Sequence, residues 1–229
     1  MDFDQHVTGH QKAIDDAAGV SLGELASEHA RLVLDVIARG LGNPKNLRVL
    51  DVGCGIGRTD CVLERGVGEL YGVDVSRQSL DAARGNAPAT RFVHYDGKCL
   101  PFADASFDAA FAISVVHHVP PALRSRFMAE MLRTIRPRGV VIIIEHNPLN
   151  PVTRRIVSRC AFDADAVLLG SREMARLFTD CGAPAVGCRY FGLWPFRNEF
   201  IEQAERAFAW LPIGAQYCTW GIKVREAYA

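Results

Sequence analysis

Three groups of residues in this chain have the types and spacing to do chemistry. The first is Val49-Leu50-Asp51-Val52-Gly53-Cys54-Gly55-Ile56-Gly57, an apolar run that meets an acid and then three glycines at alternate positions. Glycine permits left-handed backbone and lets the main chain approach a ligand with no Cβ between. Asp51 directs a carboxylate into the same loop, which favours a cationic or hydrogen-bond-donating ligand over a polyphosphate. The second group is Asp74 and Asp96, each closing an apolar run. Asp74 can accept both hydroxyls of a ribose as a bidentate pair, or cap a helix that begins near Ser76. Asp96 is placed to accept from the amino group of an adenine, while a neighbouring backbone N–H donates to the ring. The third group is His117, His118 and His146. An imidazole titrates near neutrality, so it can take the proton of an acceptor, or serve only as a loop residue.

Other nucleotide loops fit poorly. The dinucleotide fingerprint G-x-G-x-x-G needs glycine where Arg58 stands, and the phosphate loop G-x-x-x-x-G-K-[ST] is absent.

The elements that must hold these groups alternate along the chain. Strand-like runs fall at 48–52, 69–73, 91–95, 107–113 and 140–145, and helical patterns near 59–64, 76–84, 122–135 and 171–180. Ser76 and Ser171 are expected helix N-caps. Alternation of this kind predicts βαβ crossovers and a parallel sheet covered on both faces, with ligands across the carboxyl ends of its strands. The chain then changes character: strands are expected at 187–193 and 217–224, with a helix at 199–210 between them. Residues 1–45 read as an amphipathic helical cap over the carboxyl edge, ended by Gly40, Gly42 and Pro44.

Bulk properties narrow the class. With 229 residues, one α/β domain with elaborations fits. Lys+Arg and Asp+Glu both number 26, so the basic excess typical of nucleic-acid binders is missing. Seven cysteines form neither a C-x-x-C pair nor a zinc spacing, so no metal site is expected and the thiols read as reduced. No secretory signal and no spanning run is expected, which points to the cytoplasm.

Asp51-x-Gly53-x-Gly55-x-Gly57, Asp74, Asp96, Leu100-Pro101-Phe102-x-Asp104-x-Ser106-Phe107-Asp108 and Leu132-Arg133-x-x-Arg136-Pro137-x-Gly139 resemble, over about residues 45–146, successive motifs of the class I S-adenosylmethionine-dependent methyltransferases. The nearest likeness is to the small-molecule group often called methyltransferase type 11. The resemblance implies a doubly wound, Rossmann-like sheet of seven strands, mostly parallel, with the last strand antiparallel. It implies S-adenosyl-L-methionine as cofactor and S-adenosyl-L-homocysteine as product. Gly53, Gly55 and Gly57 would approach the methionine portion, Asp74 the ribose and Asp96 the adenine, with Asp51, Gly97 and Ser114 counted among the cofactor residues. The position of His117 and His118 commonly carries histidine in this family without a base role, so His146 is the first choice for the acceptor side.

The expected organisation is a cap at 1–45 and a methyltransferase domain at 46–229, with a substrate-side connection at about 146–170 and a helical insertion at about 195–212. The connection carries Arg154, Arg155 and Arg159, which could clamp an anionic acceptor, and Tyr190, Phe191, Trp194, Phe196 and Phe200 could floor a flat one. The expected function is methyl transfer to oxygen or nitrogen of a small molecule, with a bacterial secondary-metabolite or polysaccharide pathway as the suggested context, by a monomer or homodimer that binds neither nucleic acid nor membrane. The alternatives are a non-catalytic cofactor-binding regulatory or scaffold protein and, disfavoured by the glycine spacing, a nicotinamide oxidoreductase.

Overall fold

In a computed structural model, residues 22–160, 163–192, 203, 205 and 207–224 are described. Seven strands form one sheet in the order β3-β2-β1-β4-β5-β7-β6. They are β1 (Arg48–Val52), β2 (Glu69–Asp74), β3 (Arg91–His94), β4 (Phe107–Ile113), β5 (Ile135–His146), β6 (Ala185–Phe191) and β7 (Gln216–Ile222). The pairs among β1 to β5 are all parallel, and β7 runs antiparallel to both of its neighbours, β5 and β6. This is the seven-stranded sheet expected from the sequence.

Both faces of the sheet are buried, which is why its central strands are apolar throughout rather than alternating. Val49, Ala109, Phe111, Ile142 and Ile144 pack on one face. Leu50, Val52, Ala110, Ala112, Val141 and Ile143 pack on the other, against the helices α4 (Arg124–Thr134) and α6 (Ser171–Asp180) through Met128, Met131, Met174 and Phe178.

The first face is covered by α1 (Leu22–Leu41). Its buried Ala26, Ala30, Val33 and Ile37 recur at helical spacing and form a single stripe. Of the expected cap, then, the described part is a layer of the core, and none of its residues lines the cavity at the carboxyl edge. Residues 1–21 lie outside the described residues, as do 195–202 of the expected insertion.

Two local differences from the sequence reading have clear causes. Ser76 caps α3 (Arg77–Asn86), its Oγ accepting from Ser79 N at 3.0 Å, but α6 is preceded by Gly170, and the Ser171 hydroxyl instead meets the Tyr190 hydroxyl at 2.6 Å. The strand expected at 140–145 begins earlier, because Ile135 already pairs with Phe107 before a bulge that resumes at Ala109 and Val140. Within that bulge Arg138 takes φ 69°, a left-handed turn on the exposed side. Among the described residues, no helix is long and apolar enough to cross a membrane.

Candidate active site

A cavity of about 730 Å³ opens where the first four strands end. Asp51, Gly53 and Gly55 enter from the loop after β1, Asp74 from the end of β2, Tyr95, Gly97 and Lys98 from beyond β3, and Ser114, Val115 and His118 from beyond β4. Leu123, Arg126 and Phe127 close the far side from α4 and the turn before it.

The glycine loop is braced by its neighbours in the sheet. Gly53 N and Cys54 N both donate to Val73 O, at 2.8 and 3.0 Å. Gly55 N donates to Asp74 Oδ2 and Ser76 N to Asp74 Oδ1, each at 2.8 Å. Asp74 therefore caps the turn after β2 and ties it to the glycine loop, while still lining the cavity. A carboxylate oxygen has more than one lone-pair direction, so a ribose can share both oxygens with these amides.

The glycines differ in what they face. A Cβ on Gly53 would lie 2.5 Å from Val115 Cγ2, and one on Gly57 would lie 3.1 Å from Ala83 Cβ, so both are packing constraints. A Cβ on Gly55, at φ 54°, would meet nothing within 4 Å. Gly55 thus leaves open space at the cavity wall, whereas Gly57 does not line the cavity. Ser114 also takes a left-handed φ of 55°, donates its N–H to Ile144 O at 2.9 Å and lines the cavity. A non-glycine residue in that region is a strain that marks functional turns.

Asp51 is buried beside Asp60, a fully buried acid that the sequence reading did not single out. Asp51 Oδ1 and both carboxylate oxygens of Asp60 have no hydrogen-bond partner. Burial, followed by the neighbouring Asp60, pushes the Asp51 carboxyl well above the usual carboxylate range, and burial pushes Asp60 up as well. Two neighbouring buried carboxylates disfavour each other's ionisation. A ligand ammonium at Asp51 would stabilise the charged form instead.

Asp96 is held differently. Its Oδ1 accepts from Lys98 N and Cys99 N at 2.8 and 3.1 Å, and the side chain stands outside the cavity lining while Tyr95 and Gly97 are within it. The Leu100–Asp104 stretch is knitted by Arg133, which donates to Leu100 O, Phe102 O and Asp104 Oδ1. That portion of the motif builds the wall rather than the site.

The three histidines form one cluster behind the cavity. His117 Nδ1 and Glu145 Oε2 are 2.6 Å apart, and Glu145 Oε1 accepts from Val116 N at 2.7 Å. Asp163 Oδ1 lies 3.5 Å from His117 Nε2 and 3.4 Å from His118 Nε2. The rings of His118 and His146 stand 4.1 and 5.1 Å from that of His117. Burial opposes charge on His117, but Glu145 and Asp163 outweigh it and raise the imidazole to about 9. Burial, then the His117 charge, lowers His118 to about 4 and also lowers His146. Only His118 of the three lines the cavity. Arg154, Arg155 and Arg159 are exposed and away from it. Phe191 is buried in the core and Tyr190 packs beside it, while Trp194, Phe196 and Phe200 lie outside the described residues.

Residues 50–143 match the family model of the methyltransferase domain. That stretch is a class I S-adenosylmethionine-dependent methyltransferase domain. The chain is 30% identical over 145 residues to the 2-methyl-6-phytyl-1,4-hydroquinone methyltransferase of a Synechocystis strain, covering 57% of this chain and 45% of the relative. It is 37% identical over 120 residues to methyltransferase GfsG of Streptomyces halstedii, with 48% and 42% covered. The methyltransferase thus spans about half the length of the curated relatives it matches. Its fold is shared with an S-adenosylmethionine-dependent methyltransferase from Thermotoga maritima, at TM-score 0.66 and 18% identity over 96% of this chain and 98% of that one.

The site fits the family's cofactor on its own geometry. Gly55 leaves a cradle that a side chain would fill, and Asp51 and Asp74 both line the cavity wall beside it, acids suited to an ammonium and a ribose.

Proposed function

We propose that this protein transfers a methyl group from S-adenosylmethionine to an oxygen or nitrogen of a small-molecule acceptor. The observation that carries the reading is the pairing, on one cavity wall, of an open glycine, Gly55, with the two acids Asp51 and Asp74. When bound, the cofactor supplies an electrophilic methyl on a sulfonium. Asp51 would hold its ammonium, Gly53 and Gly55 would admit the methionine portion, and Asp74 would accept from the ribose. Gly97 and Ser114 lie along the same wall, while Asp96 stabilises the adjoining turn and does not line the cavity.

The acceptor would enter from the His118 side, between Ser114 and the apolar surface of Val119, Leu123 and Phe127. In-line displacement gains chiefly from holding nucleophile and methyl in near-attack geometry, which an apolar, water-poor pocket favours. A cavity of about 730 Å³, shared by cofactor and acceptor, suits a small molecule. Relatives named for methylating a hydroquinone and demethylmenaquinone support that class. Seven free thiols support a cytoplasmic location. A secondary-metabolite or polysaccharide pathway is the context we infer from the connection that follows Glu145.

Titration calorimetry tests the reading directly. S-adenosylhomocysteine should bind and NAD should not. Asp74→Ala should weaken binding by about 1–3 kcal/mol, the range for hydrogen bonds to a charged group, and should weaken a 2′,3′-dideoxy analogue far less. Equal losses for both ligands remove Asp74 from the ribose. Incubation of enzyme and cofactor with a cell extract should then yield one metabolite heavier by a methyl in place of a hydrogen.

A further inference from the structure

We propose that His117, His118 and Asp163 bind a divalent transition-metal cation on the acceptor side of the cavity, where it activates an acceptor hydroxyl. The proposal rests on the methyltransferase reading for its chemistry, and on geometry alone for the site.

The ligand atoms, one from each of the three residues, all lie within 4.8 Å of one another. Asp163 Oδ1 is 3.5 Å from one imidazole Nε2 and 3.4 Å from the other. These separations exceed an ordinary N–H···O bond of about 2.7–3.2 Å. They match the edge of a tetrahedron whose metal–ligand bonds are about 2.0–2.1 Å, which is about 3.3–3.4 Å. Those two spacings are ones that ligands around a single ion can adopt.

A second observation points the same way. The His117 side chain is 1% exposed, and its Nε2 has no hydrogen-bond partner, although a buried imidazole nitrogen normally finds one. Its other nitrogen is fixed by Glu145 at 2.6 Å. A carboxylate at Nδ1 orients the ring and increases the basicity of Nε2, as it does behind metal-bound histidines. Two carboxylates, Asp163 and Glu145, match the charge of a dication. Two imidazoles favour zinc, copper, iron or nickel over magnesium, calcium or manganese, which prefer oxygen ligands.

His118 borders the cavity, so an ion held by these ligands would present its remaining position there. An acceptor hydroxyl at that position loses its proton to solvent water, because the cation stabilises the resulting oxyanion. The oxygen then forms a bond to the methyl carbon while the carbon–sulfur bond breaks and its electron pair passes to sulfur. Oxygen, rather than nitrogen, becomes the methylated atom.

The test uses the full chain, stripped with a chelator and titrated with cobalt(II) and then zinc(II). One equivalent of cobalt should bind and give the intense visible bands of a four-coordinate site, and zinc should displace it. Asp163→Asn should weaken binding at least tenfold, and Glu145→Gln by about 10–100-fold as an orienting partner. S-adenosylhomocysteine affinity, measured on the same Asp163→Asn sample, should match the parent and so report that the fold is intact. Failure to bind either metal at micromolar concentration overturns the proposal, as does unchanged metal affinity in a folded Asp163→Asn protein. Metal binding without S-adenosylhomocysteine binding would leave the metal site standing and sink the methyltransferase reading instead.

Discussion

Gly53 and Gly55 stand two residues apart in one loop, yet their substitutions should fail in different ways. Alanine at 53 would drive a Cβ to within 2.5 Å of Val115, in a left-handed turn of φ 84°. Packing strain of this kind costs about 1–3 kcal/mol, to which the left-handed backbone adds about 1–2 kcal/mol. Alanine at 55 meets no protein atom and carries only the backbone cost. Gly53→Ala is therefore expected to lower the thermal midpoint more than Gly55→Ala. Gly55→Val, by contrast, should remain folded and lose S-adenosylhomocysteine binding, because its side chain occupies the ligand's space. Thermal unfolding and calorimetry on the same samples separate the two effects. Near-parent affinity in Gly55→Val would reduce the loop to a structural turn.

At the scale of elements, α1 is bound to the last strand by a buried polar contact. His29 Nε2 lies 2.8 Å from Gln216 Oε1, and the ring meets Phe191 edge-on at a centroid distance of 6.0 Å. Burial lowers His29 from 6.5 to about 4, only partly offset by Gln216. Between those values the unfolded chain holds a proton that the folded protein rejects, so stability rises with pH across the window. The contribution is complete above about pH 6.5 and lost as pH falls toward 4, reaching about 3 kcal/mol at its largest. His29→Gln should flatten that part of the stability profile in urea titrations at several pH values, and an unaltered slope would dismiss the idea. None of this was legible in the chain, because residues 29 and 216 meet only after the sheet is built. What could be read was local. The strand at 107–113 and the helix at 171–180 matched because an apolar run or a helical stripe fixed each one by itself. The start of β5 was missed because Pro137, Arg138 and Gly139 look like an ending, and only the bulge against Phe107 makes them part of a strand. The site divides in the same manner. Asp51, Gly53, Gly55 and Asp74 share one strand–turn grammar, while Asp60 and Asp163 acquire meaning from neighbours that periodicity cannot reveal.

For the molecule as a whole, the order of the sheet sets when it can be finished. β7 lies between β5 and β6, and β6 finds its sheet partner only in β7. The parallel half, β1 to β5, uses contacts available once residue 146 is made, but the other half waits for residues 216–222. During synthesis, a chain that has reached β6 therefore carries an open edge on β5, with Val141 to Ile144 along it, and a separate strand with nothing to join. Exposed apolar edges recruit other chains. A version ending at residue 214 should accordingly collect in the insoluble fraction, and co-expression with holdase chaperones should raise its recovery. Soluble, S-adenosylhomocysteine-binding protein from that truncation would show that β7 is dispensable. The late insertion of one antiparallel strand makes this protein most dependent on chaperones in the interval between the synthesis of β6 and that of β7.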